Sequence, residues 1–229
     1  MHLAAYNTGK LFFNTYCTSR FQNLKVVEIG SQNVNGSLRE VITPCITEYV
    51  GVDFAEGNGV DIVLDDPYKF PFEDNTFDVL VTSSCFEHSE MFWMSFLEGI
   101  RILKPSGVMY CNAPSNWMCY HRYPVDCWRF YPDAGKGLET WAKYCNYNTM
   151  VLESFITPPN NPSERYADWC CVFLKDANYI DLHTNRMIDT LSPVDDYSNG
   201  FRFPANRRFP NGWDEPDTFD IMWDYKPFV

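Results

Sequence analysis

Residues 26–36 read "VVEIGSQNVNG". An apolar run ending in Glu28 and Gly30 has the form of a buried strand delivering a binding loop. Loops that cradle phosphate are packed with glycine, and this one holds only Gly30 and Gly36. Two readings compete: a cofactor loop without its middle glycines, or an ordinary strand followed by a turn. The sequence around it decides between them.

Residues 1–24 read as an N-terminal helical extension. "KVVEIG" is the first strand, and "GSLREVI" starts a helix after Gly36 that Pro44 limits. "EYVGVDF", "GVDIVLDD" and "FDVLVTSS" read as the second, third and fourth strands. In "EMFWMSFLEGIRILKP", Phe92, Phe96, Leu97, Ile100 and Leu103 recur at three and four residues, the spacing of an amphipathic helix. "GVMYCNAP" is a fifth strand, "GLETWAKYCNY" a further helix, and "TMVLESFI" and "WCCVFLK" two last strands. Strands alternating with helices to about residue 150 specify an α/β sandwich with a mostly parallel sheet. The final pair, joined without a helix, suits an antiparallel hairpin on the sheet edge. We take 25–175 as one domain and 176–229 as an irregular extension rich in Pro, Asp and aromatics. Its aromatics exceed what a disordered tail carries. The extension is expected to pack on the domain or on a partner, a homodimer through it being one arrangement.

With a net charge of −12, eighteen scattered Lys and Arg form no phosphate-tracking groove, so nucleic acid is not the expected partner. The acidity reads as solubility. Nine cysteines, an odd number without a C-x-x-C pair, suit free thiols in a reducing, cytoplasmic compartment, and offer no disulfide framework or zinc motif. The N-terminus lacks the pattern of a signal peptide, and no run is long and apolar enough to span a membrane.

Ligands of open α/β sheets bind beyond the carboxyl ends of the strands. Here those ends carry Glu28 and Gly30, then Asp53, then Asp65 and Asp66, then Ser83, Ser84, Glu87 and His88, then "NAPSNW". An acid ending the second strand can hold a ribose diol, although Asp53 alone would equally serve as a helix N-cap. Gly30 alone would serve as turn geometry, and Phe70, Pro71 and Phe72 as packing. A pyrophosphate needs the tight G-x-G-x-x-G turn that this loop lacks. Glu28 would also repel a phosphate. A cationic nucleoside such as S-adenosyl-L-methionine, with its sulfonium and ammonium, suits an acid there, and a dehydrogenase becomes the poorer reading.

"VVEIGSQNVNGSLR", "YVGVDF", "DDPYKFPFEDNTFDVLVTSSCFEH" and "RILKPSGVMYCNAPS" together resemble the successive motifs of class I S-adenosylmethionine-dependent methyltransferases, over roughly residues 25–115. The resemblance implies a Rossmann-like three-layer α/β sandwich with a mostly parallel seven-stranded sheet and an antiparallel last strand. It implies that Glu28, Gly30 and Ser31 line the methionine part of the cofactor, with Gly36 and Phe54 completing the loop walls. Asp53 would hold the ribose, Asp65 or Asp66 the adenine edge, and Ser83 would stand beside the methionine. The departure from the family pattern is Gln32 and its neighbours where a second glycine usually falls, which implies a wider loop. "HRYPVDCWRFYPD", residues 121–133, resembles a subgroup associated with surface-glycan and polysaccharide biosynthesis, with related enzymes in large viruses of algae; a viral chain would work in the host cytoplasm.

Methyl transfer is an in-line displacement at the sulfonium methyl, and a hydroxyl acceptor gains from a base. His88, His121 and Asp126 are the candidates, His88 having the alternative role of capping the following helix. Glu87, His88, Trp117, His121, Arg122, Tyr123, Asp126, Trp128 and Arg129 make the expected acceptor wall. Aromatic faces beside polar groups suit sugar rings, a deoxyhexose such as rhamnose among them, and equally suit a packed lid. Glu87, His88, His121 and Asp126 have the donor types for a divalent cation, but their spacing matches no metal motif and none is assigned. Two other readings stay open: a methyltransferase for a small lipid or phenolic metabolite, and a non-catalytic interaction module.

Overall fold

The computed structural model describes residues 2–115, 120–157, 167–191, 199–203 and 206–208. Helix α1 spans Leu3–Tyr16, and β1 (Leu24–Ile29), β2 (Ile46–Asp53), β3 (Ile62–Val63) and β4 (Phe77–Ser83) follow. Then come α2 (Phe92–Ile102), β5 (Leu103–Pro114), α3 (Asp133–Tyr144), β6 (Met150–Thr157) and β7 (Asp168–Leu174). Two short strands come last among the described residues, β8 (Asn199–Arg202) and β9 (Asn206–Arg208).

The sheet runs in the order β3-β2-β1-β4-β5-β7-β6-β8-β9. The first five strands are mutually parallel, and β7 runs antiparallel between β5 and β6. The seven expected strands and the antiparallel seventh are therefore present. The extension adds two more, because Asn199–Arg202 pairs antiparallel with β6 and then with Asn206–Arg208.

Alternation along the strands divides the core. Val26, Val79, Val81, Val108, Tyr110, Val172 and Leu174 face α1, whose Phe12, Phe13 and Tyr16 are buried against them. Val27, Leu80, Met109, Cys111, Cys171 and Phe173 face α2 and α3 through Phe96, Ile100, Leu138 and Ala142. Each fully buried Phe or Leu contributes about 1.5–3 kcal/mol relative to exposure. The α1 face is completed by Met187 and Ile188. Their backbone N–H groups donate to the buried Glu153 carboxylate at 2.9 and 2.9 Å, and the Tyr16 hydroxyl donates to it at 2.6 Å. One acid on β6 thus pins α1 and the segment after β7 to the sheet.

Two expectations fail locally. The helix after Gly36 is only a 3-10 turn, Leu38–Val41. Val41, Ile42 and Thr43 are β-branched, Pro44 pushes Thr43 toward extended backbone, and too few residues remain to repay helix nucleation. The third strand shrinks to Ile62–Val63; the Asp61 carboxylate before it, exposed and paired with Arg39, accepts from Gly51 N–H at 2.7 Å. No helix among the described residues is long and apolar enough to cross a membrane. The described cysteines are all free.

Candidate functional site

Strand order reverses across β1 and β4, which opens a crevice at their carboxyl ends. A cleft of about 1280 Å³ lies there. Glu28, Gly30, Ser31, Gly36, Asp53, Phe54, Asp65, Ser83, His88, His121 and Tyr123 all line it. Asp66 does not; its carboxylate accepts instead from Tyr68 N–H at 2.8 Å.

The loop after β1 is held from below. Gly30 and Ser31 N–H groups donate to the Val52 carbonyl at 3.0 and 3.1 Å. Gly30 has φ +75°, and a Cβ there would lie 2.6 Å from that of Cys85, so both conformation and space require glycine. The missing middle glycines are displaced in sequence. Gln32 and Asn33 pack on a turn at 57–59, where a Cβ on Gly57 would meet Gln32 Nε2 at 2.4 Å and one on Gly59 the Ser31 carbonyl at 2.8 Å. Asn33 N–H donates to the Asn58 carbonyl at 2.7 Å, and Asn33 Oδ1 accepts from Gly36 N–H at 2.8 Å. The "GNG" at 57–59 was the overlooked signal, and Asn33, Asn58 and Tyr68 are lining residues the sequence reading missed.

Asp53 is no helix N-cap, since a loop follows β2. Its Oδ2 accepts from Gln32 N–H at 3.0 Å and its Oδ1 from Phe54 N–H at 2.8 Å. Each oxygen can accept a further hydrogen bond, and Asp53 lines the cleft, which suits a vicinal diol. Glu28 is buried, and that burial pushes its carboxyl up to about 7 despite a 2.8 Å hydrogen bond from the Tyr49 hydroxyl. A ligand cation beside it would recover the carboxylate form. The Ser83 hydroxyl donates to Asn112 Oδ1 at 3.3 Å.

The opposite wall joins the turn after β4 to the 120–131 segment. Cys127 N–H donates to the Glu87 carbonyl at 2.7 Å, and Trp128 Nε1–H to the Ser89 carbonyl at 3.0 Å. These tethers bring His121 against His88, with ring centroids 5.0 Å apart and planes at 88°. His88 Nδ1 lies 2.5 Å from the Val125 carbonyl oxygen, which can only accept, so that nitrogen carries the proton. His88 does not cap α2. Asp126 is engaged by the Arg129 guanidinium at 2.5 and 2.8 Å and by His121 N–H at 2.7 Å. The Arg129 hydrogen bonds hold its carboxyl down at about 2, which makes it a poor base and a good orienter. Its Oδ2 lies 3.7 Å from His121 Nδ1. Glu87 is 1% exposed, and neither carboxyl oxygen has a hydrogen-bond partner. A buried polar group in that condition costs about 1–3 kcal/mol, more if charged. Arg122 turns to the Pro124 carbonyl at 2.8 Å, Tyr123 is 73% exposed at the rim, and Trp117 lies outside the described residues.

Residues 31–111 match a family described as a methyltransferase domain. No curated protein matches the chain in sequence. Among solved structures, the fold is similar to the Burkholderia thailandensis 1,6-didemethyltoxoflavin-N1-methyltransferase with bound 1,6-didemethyltoxoflavin and S-adenosylhomocysteine. Identity is 13%, 76% of this chain and 79% of that chain are covered, and the TM-score is 0.59. It is also similar to the [4+2]-cyclase SpnF (11% identity, 75% and 81% covered, TM-score 0.54). The YcgJ protein from Bacillus subtilis gives 11% identity, 76% and 96% covered, and a TM-score of 0.51. At such identities the likeness is one of fold, and a cyclase shares it. Residues 31–111 thus match a methyltransferase domain, set on a fold that methyltransferases share. The Burkholderia thailandensis neighbour binds S-adenosylhomocysteine, the product form of S-adenosyl-L-methionine. The wall of strand-end residues suits that ligand: a diol acceptor at Asp53, a poised buried acid at Glu28, and no phosphate cradle.

Proposed function

We propose that the chain methylates a sugar hydroxyl on a glycan or glycan precursor, a deoxyhexose such as rhamnose being a suitable acceptor. The observation that carries this reading is the polar wall opposite the cofactor loop, where Glu87, His88 and His121 converge beside Asp126 and Arg129. An alcohol is a weak acid, so its oxygen attacks the sulfonium methyl best when a nearby group takes the proton. His121 is the residue on which that step depends. Asp126, locked to Arg129, orients it. Glu28 and Asp53 hold the methionine and ribose parts of the cofactor, and Asp65 the adenine edge. Exposed Tyr120 and Tyr123 at the rim offer faces for the C–H side of a sugar ring. A phenolic or lipid acceptor would call for an apolar roof in place of this polar cluster. The cytoplasm is the proposed compartment. A homodimer would form through the 176–229 extension, of which residues 192–198, 204–205 and 209–229 lie outside the described residues.

The test is methyl transfer from isotope-labelled S-adenosylmethionine to a panel of sugar nucleotides and oligosaccharides, read by mass spectrometry. A labelled methyl on a sugar oxygen, with kcat reduced about 100-fold or more in His121→Ala, is expected. Labelled phenols or amines with every sugar unmodified would overturn the acceptor class.

A further inference from the structure

We propose that Glu87, His88 and His121 form a binding site for a divalent transition-metal ion in the acceptor half of the cleft. One ligand atom from each of the three lies within 4.8 Å of the other two. Glu87 Oε1 is 3.6 Å from His88 Nε2 and 3.8 Å from His121 Nε2. These separations are too long for hydrogen bonds. They exceed by about 0.3 and 0.5 Å the roughly 3.3 Å edge of a tetrahedron with metal–ligand bonds of about 2.0–2.1 Å, a gap that small side-chain shifts close. The atoms converge without touching, which is the arrangement an ion would complete.

The buried carboxyl supplies an independent reason. Glu87 is 1% exposed with both oxygens unpartnered, while the nearby guanidinium of Arg129 is forked onto Asp126. A buried acid left this way needs a cation. The surroundings also prepare both rings. His88 gives its Nδ1 proton to the Val125 carbonyl at 2.5 Å, which leaves the Nε2 lone pair pointing at the cluster. His121 has Asp126 on its Nδ1 side at 3.7 Å and Glu87 on its Nε2 side. A histidine whose far nitrogen faces a carbonyl or carboxylate is the usual form of a metal ligand. Two imidazoles and one carboxylate favour Zn²⁺, Mn²⁺ or Fe²⁺ over Mg²⁺ or Ca²⁺, which prefer all-oxygen shells. His88 and His121 both line the cleft, so the ion would keep an open side toward the acceptor.

The consequence for chemistry rests on the hydroxyl-methylation reading, whereas the binding claim does not. With the ion in place, the Nε2 lone pair of His121 is engaged. An ion held by Glu87, His88 and His121 would supply Lewis-acid chemistry there, easing loss of the acceptor hydroxyl's proton to solvent. The alkoxide oxygen bonds the methyl, and the sulfonium sulfur keeps the electron pair of the broken bond.

The test is calorimetric titration of the full, chelator-treated chain with Zn²⁺, Mn²⁺ and Mg²⁺ in turn. One Zn²⁺ per chain at micromolar affinity or tighter is expected, with Mg²⁺ at least tenfold weaker. Glu87→Gln and His121→Ala should each weaken Zn²⁺ binding at least 100-fold. Cys127→Ser, which removes an exposed thiol beside the site, should leave it unchanged. S-adenosylhomocysteine binding, measured on every variant, reports that each is folded and separates failure of the metal site from failure of the cofactor site. Absence of Zn²⁺ binding by a chain that binds S-adenosylhomocysteine overturns the proposal. So does Zn²⁺ binding that survives Glu87→Gln or is lost with Cys127→Ser.

Discussion

Replacing Glu28 by Gln should remove most of the pH dependence of S-adenosylmethionine binding between pH 5.5 and 7.5. Burial holds the Glu28 carboxyl at about 7 in the ligand-free chain, against an ordinary 4.5. Its folded pKa is raised, so the free protein is largely protonated there below pH 7. A cationic ligand beside it favours the carboxylate and returns its pKa toward 4.5. Binding therefore releases a proton at low pH, and affinity rises as pH climbs toward 7, then levels off. With pKa values of about 7 free and about 4.5 bound, linkage gives roughly a twentyfold gain in affinity from pH 5.5 to 7.5, or about 1.8 kcal/mol. The assay is calorimetric titration at several pH values in two buffers of different ionisation enthalpy, which also counts the protons released. Glu28→Gln should bind more weakly at pH 7.5 and show less than about a threefold change over the range. S-adenosylhomocysteine, without the sulfonium, should show a smaller slope in the native chain. A native chain whose affinity is flat with pH, or a Gln variant that keeps the full slope, would refute the pairing of Glu28 with the cofactor's positive charge.

Other outcomes follow from the same geometry. Asp53→Ala removes the carboxylate proposed to hold the ribose and the anchor of Gln32 N–H, so S-adenosylhomocysteine affinity should fall about 100-fold, or ~2.7 kcal/mol, by calorimetry. Gly30→Ala combines a left-handed φ with a collision at Cys85, and should lower stability by about 2–4 kcal/mol, seen as a melting point depressed by roughly 5–15 °C. Glu153→Ala leaves the Tyr16 hydroxyl and two backbone N–H groups without their acceptor, and should cost about 3 kcal/mol in denaturant unfolding while sparing residues that touch the cofactor.

The parallel sheet was legible because buried strands are continuous apolar runs, and their acidic ends fall one after another where a ligand must bind. Asp53, Glu28 and Gly30 could be placed on the cleft from that pattern alone. The "SLREVI" segment misled because its apolar spacing suits a helix, whereas three β-branched residues before Pro44 suit extended chain. The width of the cofactor loop was read from Gln32, but its support at Gly57 and Gly59 is a contact between distant loops. The extension's pairing with β6 depends on backbone hydrogen bonds, which leave little trace in side-chain pattern. The same is true of the acceptor wall. His121 lies 33 positions after His88 in sequence, and only the backbone tethers of the 120–131 segment bring the two together.

The most direct test of the account is titration of the native chain with S-adenosylhomocysteine. The arrangement of Glu28, Gly30, Asp53 and Ser83 around one cleft predicts a single site per chain with micromolar affinity. A folded chain that shows no binding would contradict the assignment of this cleft to the cofactor, and with it the methyl-transfer chemistry built upon it.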